Sequence, residues 1–480
     1  MIKNKVLLVY AGEEARLPRL PTNLVVLAAY IREHNFEPYI FDTRVGSKLP
    51  DLEDFLAVGI SAMTVGVKYG IDVAKKIKIN YPNLKIIWGG PHVTFFPEQS
   101  LESKYVDGVV MREGEEGFLE VLKAMKENKP YDKIIDKEFM DLEKLPFPAY
   151  DLIDMSKYAS VNDGFNYESS RGCVNRCSFC YVHLFHKRRW RAKSVKKVLD
   201  EIERIIKEYK IKKLLFVEDN VFVDKKRILD IAQGFLDRNF NIEWEAMVRA
   251  DYLAKYTKDE MRLLKESGWW NAAIGGESGS ERMLKLITKD ITREDIKKAV
   301  LNCLDVGVQP QVSFIMGIPG EKEEDRIITM DFYDELKRLT SNPEDVELNA
   351  FFIYTPYPGT PLYEKAIELG YEAPKTFEEW ADWKFSDIKN VPWIDYKLRR
   401  KLETISIIVR FWFYLDRIKH FSKEYQKQKL NIGVLGKILM KIGIPLLKVS
   451  ARLRWDNRFF YFPYEWDIFR WYRERSTEIN

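Results

Sequence analysis

Cysteine is scarce in this 480-residue chain, which excludes a fold held together by disulfides. Only four cysteines occur, and three of them fall within eight residues, which indicates a metal site in a reducing compartment. The sequence also lacks any run that approaches about 18 uncharged apolar residues, so we expect no membrane span. The N-terminus lacks the length and the small-residue cleavage site of a signal peptide, which predicts a cytoplasmic protein.

Residues 1–130 alternate short β-rich runs with amphipathic stretches, for example KVLLVY (5–10) and LVVLAAYIREHN (24–35). Strands that alternate with helices of this length predict an α/β fold with a doubly wound parallel sheet. Ligands of such folds bind beyond the carboxyl ends of the strands. We expect the ligand-facing loops after three later strands, at residues 61–64, 89–92 and 112–115.

A second alternation of strands and helices occupies residues 166–375, after a proline-containing segment (131–165) that we interpret as a linker. About six βα units follow one another, among them KKLLFVEDN (212–220) and QPQVSFIMGIPGE (309–321). This pattern predicts a partial TIM-type barrel with its functional residues at the strand C-termini. Residues 376–480 show no such alternation, and we expect them to be mainly helical.

The cysteine-rich segment SSRGCVNRCSFCYV (169–182) has the spacing C-x3-C-x2-C. Cluster irons take thiolate ligands, so three such cysteines can bind three irons of a cubane cluster and leave the fourth iron open. The candidate iron ligands are Cys173, Cys177 and Cys180. A structural zinc site completed by His183 and His186 is the alternative.

This cysteine segment resembles the motif of the radical S-adenosylmethionine (SAM) superfamily. Further segments resemble later motifs of that family in the same order: NVFVD (220–224), GGESGSERMLKLITKDIT (275–292), FIMGIPGE (314–321) and YPGTPLYE (357–364). The resemblance implies a four-iron four-sulfur cluster that binds SAM through its open iron and cleaves it to a 5′-deoxyadenosyl radical. It also implies a reducing partner, which we expect to be an electron donor of the flavodoxin or ferredoxin type.

The resemblance further implies that Glu277 and Ser278 face SAM. Carboxylates at strand ends can accept hydrogen bonds from its amine or ribose, an arginine can pair with its carboxylate, and glycine lets the backbone approach adenine. The SAM-binding candidates are Phe179, Glu218, Asp219, Arg249, Glu277, Ser278 and Gly317.

The N-terminal domain resembles the cobalamin-binding-type domain of one branch of this superfamily. Its segments GISAMT, WGGPH and REGEE resemble the ligand-facing loops, where small residues leave room for a macrocycle and its nucleotide tail. The cobalamin-binding candidates are Ser61, Met63, Thr64, Gly89, Gly90, Glu113, Gly114 and Glu115. The loop YAGEEARLPRLP (10–21) has no histidine where many cobalamin proteins hold cobalt, so we expect cobalamin without a protein His ligand. We interpret His92 as a hydrogen-bonding loop residue.

The C-terminal region differs in charge from the rest of the chain. Residues 397–480 contain 19 Lys/Arg and 8 Asp/Glu, a net charge of +11, whereas the whole chain carries +4. Aromatic runs and cations in this region suit peripheral contact with an anionic membrane. The runs are Phe411–Tyr414 and Phe459–Phe462, and the cations are Lys437, Lys441 and Lys448. A helical cap over the barrel mouth explains the same pattern. No RNA-binding module occurs, so we expect no nucleic-acid partner.

Three functions are compatible with these patterns. The first is a cobalamin-dependent radical SAM enzyme that methylates or otherwise transforms an unactivated carbon, with a lipid as the expected substrate. The second is a radical SAM enzyme that forms C–C bonds or rings without functional cobalamin. The third is a non-catalytic iron–sulfur protein at the membrane surface.

Overall fold

The computed structural model describes residues 3–15, 18–46, 48–158, 164–342, 345–384, 391–409, 446, 449–461 and 464, without the side chains of 347–350. The aromatic run Phe411–Tyr414 and the three lysines Lys437, Lys441 and Lys448 lie outside these residues. No described helix combines the length and the apolarity needed to cross a bilayer.

The N-terminal domain contains a six-stranded, wholly parallel sheet. Its strands are β1 Lys5–Ala11, β2 Glu37–Asp42, β3 Phe55–Ala62, β4 Lys85–Gly89, β5 Gly108–Val110 and β6 Ile134–Ile135. They lie in the order β2-β1-β3-β4-β5-β6, so the strand order reverses between β1 and β3. Ligands of doubly wound folds bind in the crevice at this reversal. Strand β6 extends the sheet into the segment that we interpreted as a linker.

Both faces of this sheet are covered by helices, as the near-continuous apolar strand sequences require. The helices are Thr22–Glu33, Val67–Asn80, Pro91–Phe95, Pro97–Leu101 and Gly114–Lys126. Side chains of β1 alternate between the two layers: Val6 and Leu8 pack in a cluster with Phe118, whereas Leu7 and Val9 pack in one with Ile71.

The second domain contains another six-stranded parallel sheet. Its strands are β7 Phe165–Tyr167, β10 Lys213–Phe216, β11 Glu243–Val248, β12 Trp269–Glu277, β13 Gln309–Met316 and β14 Glu347–Ile353. They lie in the order β14-β13-β12-β11-β10-β7. The helices of this domain are Val182–Phe185, Val195–Tyr209, Lys225–Asp237, Ala250–Leu253, Lys258–Glu266, Glu281–Leu286, Arg293–Leu304, Glu323–Lys337 and Pro361–Glu368. The predicted α/β fold with a partial barrel is confirmed.

Local sequence signals set the helix bounds. The helix Val195–Tyr209 begins after Ser194, whose hydroxyl accepts a hydrogen bond from the Lys197 N–H, and it ends at Lys210 in the left-handed conformation. Its buried side chains recur every three or four residues and face the barrel. They are Val198, Leu199, Glu201, Ile202 and Ile205.

Two short antiparallel strands bracket the cysteine segment. Strand β8 (Ser170–Arg171) pairs with β9 (Arg191–Ala192), so the chain between them forms a closed loop. We call residues 172–190 the cysteine loop. The sequence pattern predicted a loop here but not the paired strands, which fix both of its ends.

The described parts of the C-terminal region pack on both domains. The 3-10 helix Glu379–Asp382 places Trp380 in an aromatic cluster of the N-terminal domain with His92 and Phe96. Residues 396–409 are helical and belong to the barrel core through Leu402 and neighbouring apolar residues. This segment agrees with the expectation of a cap over the barrel, as do Ala451, Trp455 and Phe460, which are buried in the same core.

Candidate active site between the two domains

A cavity of about 660 Å³ lies between the carboxyl ends of the two sheets. From the N-terminal domain it is lined by residues that follow β1, β3, β4 and β5. From the barrel it is lined by residues that follow β7 and β10, and by the cysteine loop. The lining includes seven of the eight cobalamin candidates: Ser61, Met63, Gly89, Gly90, Glu113, Gly114 and Glu115. It also includes two SAM candidates, Glu218 and Asp219.

Small residues keep the N-terminal wall of this cavity open. A Cβ atom on Gly89 would have only the Val110 carbonyl oxygen near it, at 3.6 Å, and one on Gly114 would meet only Leu27, at 3.7 Å. Gly90 has φ +98°, and a Cβ there would lie 2.8 Å from the Ala62 oxygen. A flat macrocycle needs this kind of shallow surface, so the residues present fit cobalamin.

The eighth cobalamin candidate, Thr64, does not line the cavity. It is buried, and its hydroxyl lies 3.3 Å from Nδ1 of His92. His92 is itself in the helix Pro91–Phe95 and packs against Phe377 and Trp380. Burial lowers the pKa of His92 to about 3. His92 is therefore a buried hydrogen-bonding residue on a helix, not in a loop.

Arg171 connects the two walls of the cavity. It lies two residues before Cys173 and is almost completely buried. Its Nη2 lies 2.9 Å from Glu115 Oε1 of the N-terminal domain, and its Nε donates to Glu168 Oε2 at 2.8 Å. Burial opposes its charge, but the carboxylates of Glu115, Glu168 and Glu113 raise the pKa of Arg171 well above its ordinary value.

Glu113 contacts the strand at the other end of the cysteine loop. Arg191 on β9 forms an ion pair with it and also donates to the Met140 carbonyl at 2.6 Å. Nδ1 of His186 lies 3.5 Å from Glu113, and its Nε2 lies 3.6 Å from Asp219. His186 therefore faces these carboxylates, whereas the zinc alternative requires it to face the cysteines.

Nitrogen donors surround the candidate cluster ligands. Nδ2 of Asn175 lies 3.3 Å from Cys173 Sγ, and Nη1 of Arg249 lies 3.3 Å from Cys177 Sγ. Burial raises the pKa of Cys177 and raises that of Cys180 to about 12, so these thiols ionise at neutral pH only when a cation such as iron binds them. Hydrogen bonds to cluster sulfurs also tune the reduction potential, so this environment fits an iron–sulfur cluster.

Arg249 and Glu277 already have protein partners. Nη2 of Arg249 donates to the Lys289 carbonyl at 2.7 Å, and its Nε donates to Asp251 at 2.9 Å. Glu277 has φ 59° and pairs with Lys289 Nζ at 2.7 Å, both side chains being buried. The Lys289 ammonium lies 5.6 Å from the centre of the Phe179 ring. Three SAM candidates thus form one cluster around Lys289, beside the cysteine loop.

Glu218 and Asp219 hold the start of the cysteine loop. Glu218 accepts hydrogen bonds from the N–H and the hydroxyl of Ser169, at 2.9 and 2.8 Å, and Asp219 accepts one from the Gly172 N–H at 2.9 Å. Burial raises the pKa of Glu218 to about 8 and that of Asp219 to about 6. Both carboxyl groups line the cavity, so they can also contact a bound cofactor.

Ser278 and Gly317 are not brought to this cavity. The Ser278 hydroxyl lies 3.0 Å from that of Thr329 in the outer helix layer. Gly317 is covered by the C-terminal region, because a Cβ there would lie 3.0 Å from Ile394 and 3.1 Å from Leu402. Its carbonyl accepts a hydrogen bond from Trp393 Nε1 at 2.9 Å. Their roles toward SAM stay predictions.

Sequence reasoning did not assign Arg171, Glu168, Asn175, Arg191 or Lys289. Arg171, Asn175 and Lys289 lie within segments whose motifs were recognised, whereas Glu168 and Arg191 lie outside them. No spacing rule indicates the partner of a single polar or charged residue. Of these residues, only Arg171 and Lys289 could have been predicted to form ion pairs. A cation beside a cluster of buried carboxylates or thiolates is expected to pair with them.

Two family models match the chain. The radical SAM superfamily model matches residues 167–333, and the B12 binding domain model matches residues 13–122. An uncharacterized methyltransferase of Pyrococcus horikoshii is 31% identical over 392 residues, which cover 76% of this chain and 83% of the relative. The chain therefore belongs to the radical SAM superfamily, in its branch with an N-terminal B12-binding domain.

Other similarities agree with this membership. An anaerobic magnesium-protoporphyrin IX monomethyl ester cyclase of Rubrivivax gelatinosus is 23% identical over 463 residues, covering 88% of this chain and 79% of the relative. The fold is similar to that of the cobalamin-dependent SAM radical enzyme OxsB, whose solved structure contains aqua-cobalamin and SAM. The TM-score is 0.68 at 20% identity, over 94% of this chain and 72% of OxsB.

Membership in this family makes the chain an enzyme. Its cofactors are a four-iron four-sulfur cluster and SAM, and the B12-binding domain adds cobalamin. The non-catalytic alternative is therefore not supported. Which residues hold each cofactor stays a prediction.

Proposed function

We propose that the enzyme methylates an unactivated carbon of an apolar substrate. The observation that carries this proposal is the single cavity lined by the strand ends of both domains. In a methylating enzyme of this kind, the cluster would supply the electron that cleaves SAM, and cobalamin would carry the methyl group. The cysteine loop borders this cavity, so a methyl carrier bound in the cavity and a radical source held by the loop would act on one substrate in sequence.

Product analysis tests the reaction. Anaerobic enzyme supplied with SAM, hydroxocobalamin, a reductant and a candidate lipid as methyl acceptor is expected to form S-adenosylhomocysteine together with 5′-deoxyadenosine. Methyl transfer consumes one SAM and radical generation consumes another, so the two products should accumulate in similar amounts. Formation of 5′-deoxyadenosine alone, with cobalamin bound, contradicts methylation. It favours the second candidate, a radical enzyme that forms C–C bonds or rings, which the similarity to the cyclase supports.

Exposed apolar side chains on the inner face of the barrel support the proposal that the substrate is apolar. Met247 on β11 is 51% exposed, whereas its neighbours Ala246 and Val248 are buried in the core. Phe352 on β14 is 39% exposed beside the buried Phe351. Because side chains alternate along a strand, Met247 and Phe352 point away from the helix layer and into the open barrel.

We further propose that the substrate is a lipid reached at an anionic membrane surface. The described C-terminal residues expose apolar side chains at Leu446, Val449, Leu453 and Tyr461, with Arg452 among them. Val449 and Leu453 are one helical turn apart, so they share one face. The net charge of +11 over residues 397–480 adds attraction to anionic lipid headgroups, on the order of 1 kcal/mol for each cation near the surface.

Vesicle flotation tests the membrane contact. The enzyme is expected to float with phosphatidylserine-containing vesicles at low salt, and Val449→Asp with Leu453→Asp should weaken flotation. Ile79→Asp is the matched control, because Ile79 is also highly exposed but lies on the N-terminal domain. Equal flotation of both variants, or no flotation of the wild type, contradicts the membrane surface and favours a soluble substrate.

The proposal also includes a protein electron donor of the flavodoxin or ferredoxin type. SAM cleavage consumes an electron in each turnover, and radical SAM enzymes need a reductant to supply it.

A further inference from the structure

The segment that carries the cluster ligands has an unusual charge. Residues 171–193 contain seven Lys and Arg residues and no Asp or Glu. Three of these cations point inward, where they pair with carboxylates of the core. They are Arg171, Arg191 and Lys193. Pairing with carboxylates of the core therefore accounts for three of the seven positive charges, but not for the other four.

The other four cations lie on the outer surface of the cysteine loop. They are Arg176, Lys187, Arg188 and Arg189, and all four are exposed. Two large apolar side chains are exposed among them, Val174 at 37% and Leu184 at 43%. Val174 directly follows the candidate iron ligand Cys173. We call these six residues the cysteine-loop surface.

This surface has a fixed shape. Lys187 and Arg188 have φ of 49° and 56°, a conformation that costs non-glycine residues on the order of 1 kcal/mol each. The turn is held by the bond from Arg188 N to the His183 carbonyl, at 2.7 Å, and Arg188 Nε donates to the Val174 carbonyl at 3.3 Å. A backbone strained at two successive residues is retained only where the surrounding structure or a function requires it.

Carboxylates that face these cations are few and exposed. Arg176 pairs with Asp290 at 3.0 Å, Arg189 with Glu138 at 3.1 Å, and Lys187 lies 3.7 Å from Asp136. Exposed ion pairs contribute little, about 0–1 kcal/mol each, so their cations can exchange partners readily. Arg188 contacts a backbone carbonyl and keeps its full charge for a partner.

We propose that the cysteine-loop surface docks an acidic one-electron carrier protein that reduces the cluster. A rigid basic surface with a small apolar centre suits a transient complex, in which charge complementarity speeds association more than it raises affinity. Val174 and Arg176 adjoin the candidate iron ligands Cys173 and Cys177 in sequence, and Arg188 Nε contacts the Val174 carbonyl, so a carrier docked here would lie next to the cysteine loop. One electron passes from the reduced carrier to the oxidised cluster, and no bond or proton changes place. This inference rests on the proposed requirement for a protein donor.

The test compares protein-driven with chemically driven SAM cleavage. The variant Arg188→Glu with Arg189→Glu reverses two charges of the surface. With a reduced flavodoxin or a reduced ferredoxin of net negative charge, we expect 5′-deoxyadenosine formation to fall about tenfold or more at low ionic strength. The difference from wild type should shrink at high salt, because salt screens exposed charges. With dithionite, the variant and the wild type should be equal.

Arg262→Glu is the matched control, since Arg262 is a similarly exposed arginine in an ion pair on an outer barrel helix. It should behave as wild type with every reductant. Wild-type rates of the double variant with both carriers would overturn the inference, and an equal loss with dithionite would show that the substitutions damage the cluster loop instead. If dithionite fails to drive SAM cleavage in the wild type, the proposed reaction fails and the docking surface is not the cause.

Discussion

Arg171 Nη2 and Glu115 Oε1, 2.9 Å apart, form a buried ion pair that joins the cysteine loop to the cobalamin-facing wall of the other domain. Glu115 lies in the first turn of the helix Gly114–Lys126, directly after strand β5. Arg171 lies on β8, two residues before the candidate iron ligand Cys173. This ion pair, together with the pair between Arg191 and Glu113, therefore holds the cysteine loop against the N-terminal wall of the cavity.

Arg171→Met is expected to destabilise the enzyme and to weaken retention of cobalamin. Removal of one partner from a buried ion pair typically costs about 3–5 kcal/mol, because it leaves the other charge buried without compensation. Thermal unfolding and equilibrium dialysis against hydroxocobalamin measure the two effects. Arg171→Lys should be intermediate, since it keeps the charge but loses the guanidinium geometry.

Arg176→Met is the control for this prediction. Arg176 lies in the same loop, but it and its partner Asp290 are both more than half exposed. We expect a loss of less than about 1 kcal/mol. If both variants lose equal stability, the pair between the domains has no special role.

Cys177→Ala is expected to lose the cluster. Anaerobic wild-type enzyme should contain about four irons per chain, and the variant should lose them together with SAM cleavage. Cys303→Ala is a matched control, because Cys303 is a fully buried thiol in the barrel core and contacts no other cysteine there. Zinc as the bound metal, with iron absent after reconstitution, would contradict the cluster.

The sequence predicted those features that depend on short-range patterns. Alternating apolar runs predicted the strands and helices, which the structure confirms, and the cysteine spacing predicted a metal-binding loop whose iron ligands stay a prediction. Contacts between distant segments were not predictable. Nothing near Arg171 indicates Glu115, and nothing near Gly317 indicates that Ile394 will cover it. Trp380 likewise packs on the N-terminal domain, although it follows the barrel in sequence.

Glu218→Gln is expected to change the pH dependence of stability. Burial raises the pKa of Glu218 to about 8, so between pH 4.5 and 8 the unfolded state releases a proton that the folded state keeps. The free energy of unfolding should therefore fall as pH rises through this window, by up to about 1.4 kcal/mol for each pH unit.

The glutamine variant removes this titration but keeps an acceptor for the Ser169 hydrogen bonds. Chemical denaturation at pH 5, 7 and 8 should show a flatter profile for the variant than for wild type. Parallel profiles would mean that Glu218 is ionised in the folded enzyme at neutral pH.

The size of the residue at position 89 should decide whether cobalamin binds. A Cβ on Gly89 makes one ordinary contact, at 3.6 Å, so Gly89→Ala should fold and should bind hydroxocobalamin. Gly89→Trp adds a large side chain to the wall of the cavity and should lower the affinity at least tenfold, as measured by spectroscopic titration. Gly90 is unsuitable for this test, because its φ of +98° strains any other residue.

His92→Phe completes the test. His92 packs among Phe96, Phe377 and Trp380 and lies outside the cavity lining, so phenylalanine should fit and cobalamin should still bind. The absorption spectrum of cobalamin bound to this variant should also match that of the wild-type complex, because we expect no protein histidine on cobalt. A spectral change in His92→Phe would assign that ring to the metal. Unchanged affinity in Gly89→Trp would place cobalamin outside this cavity and would remove the structural basis for the two cofactors acting on one substrate.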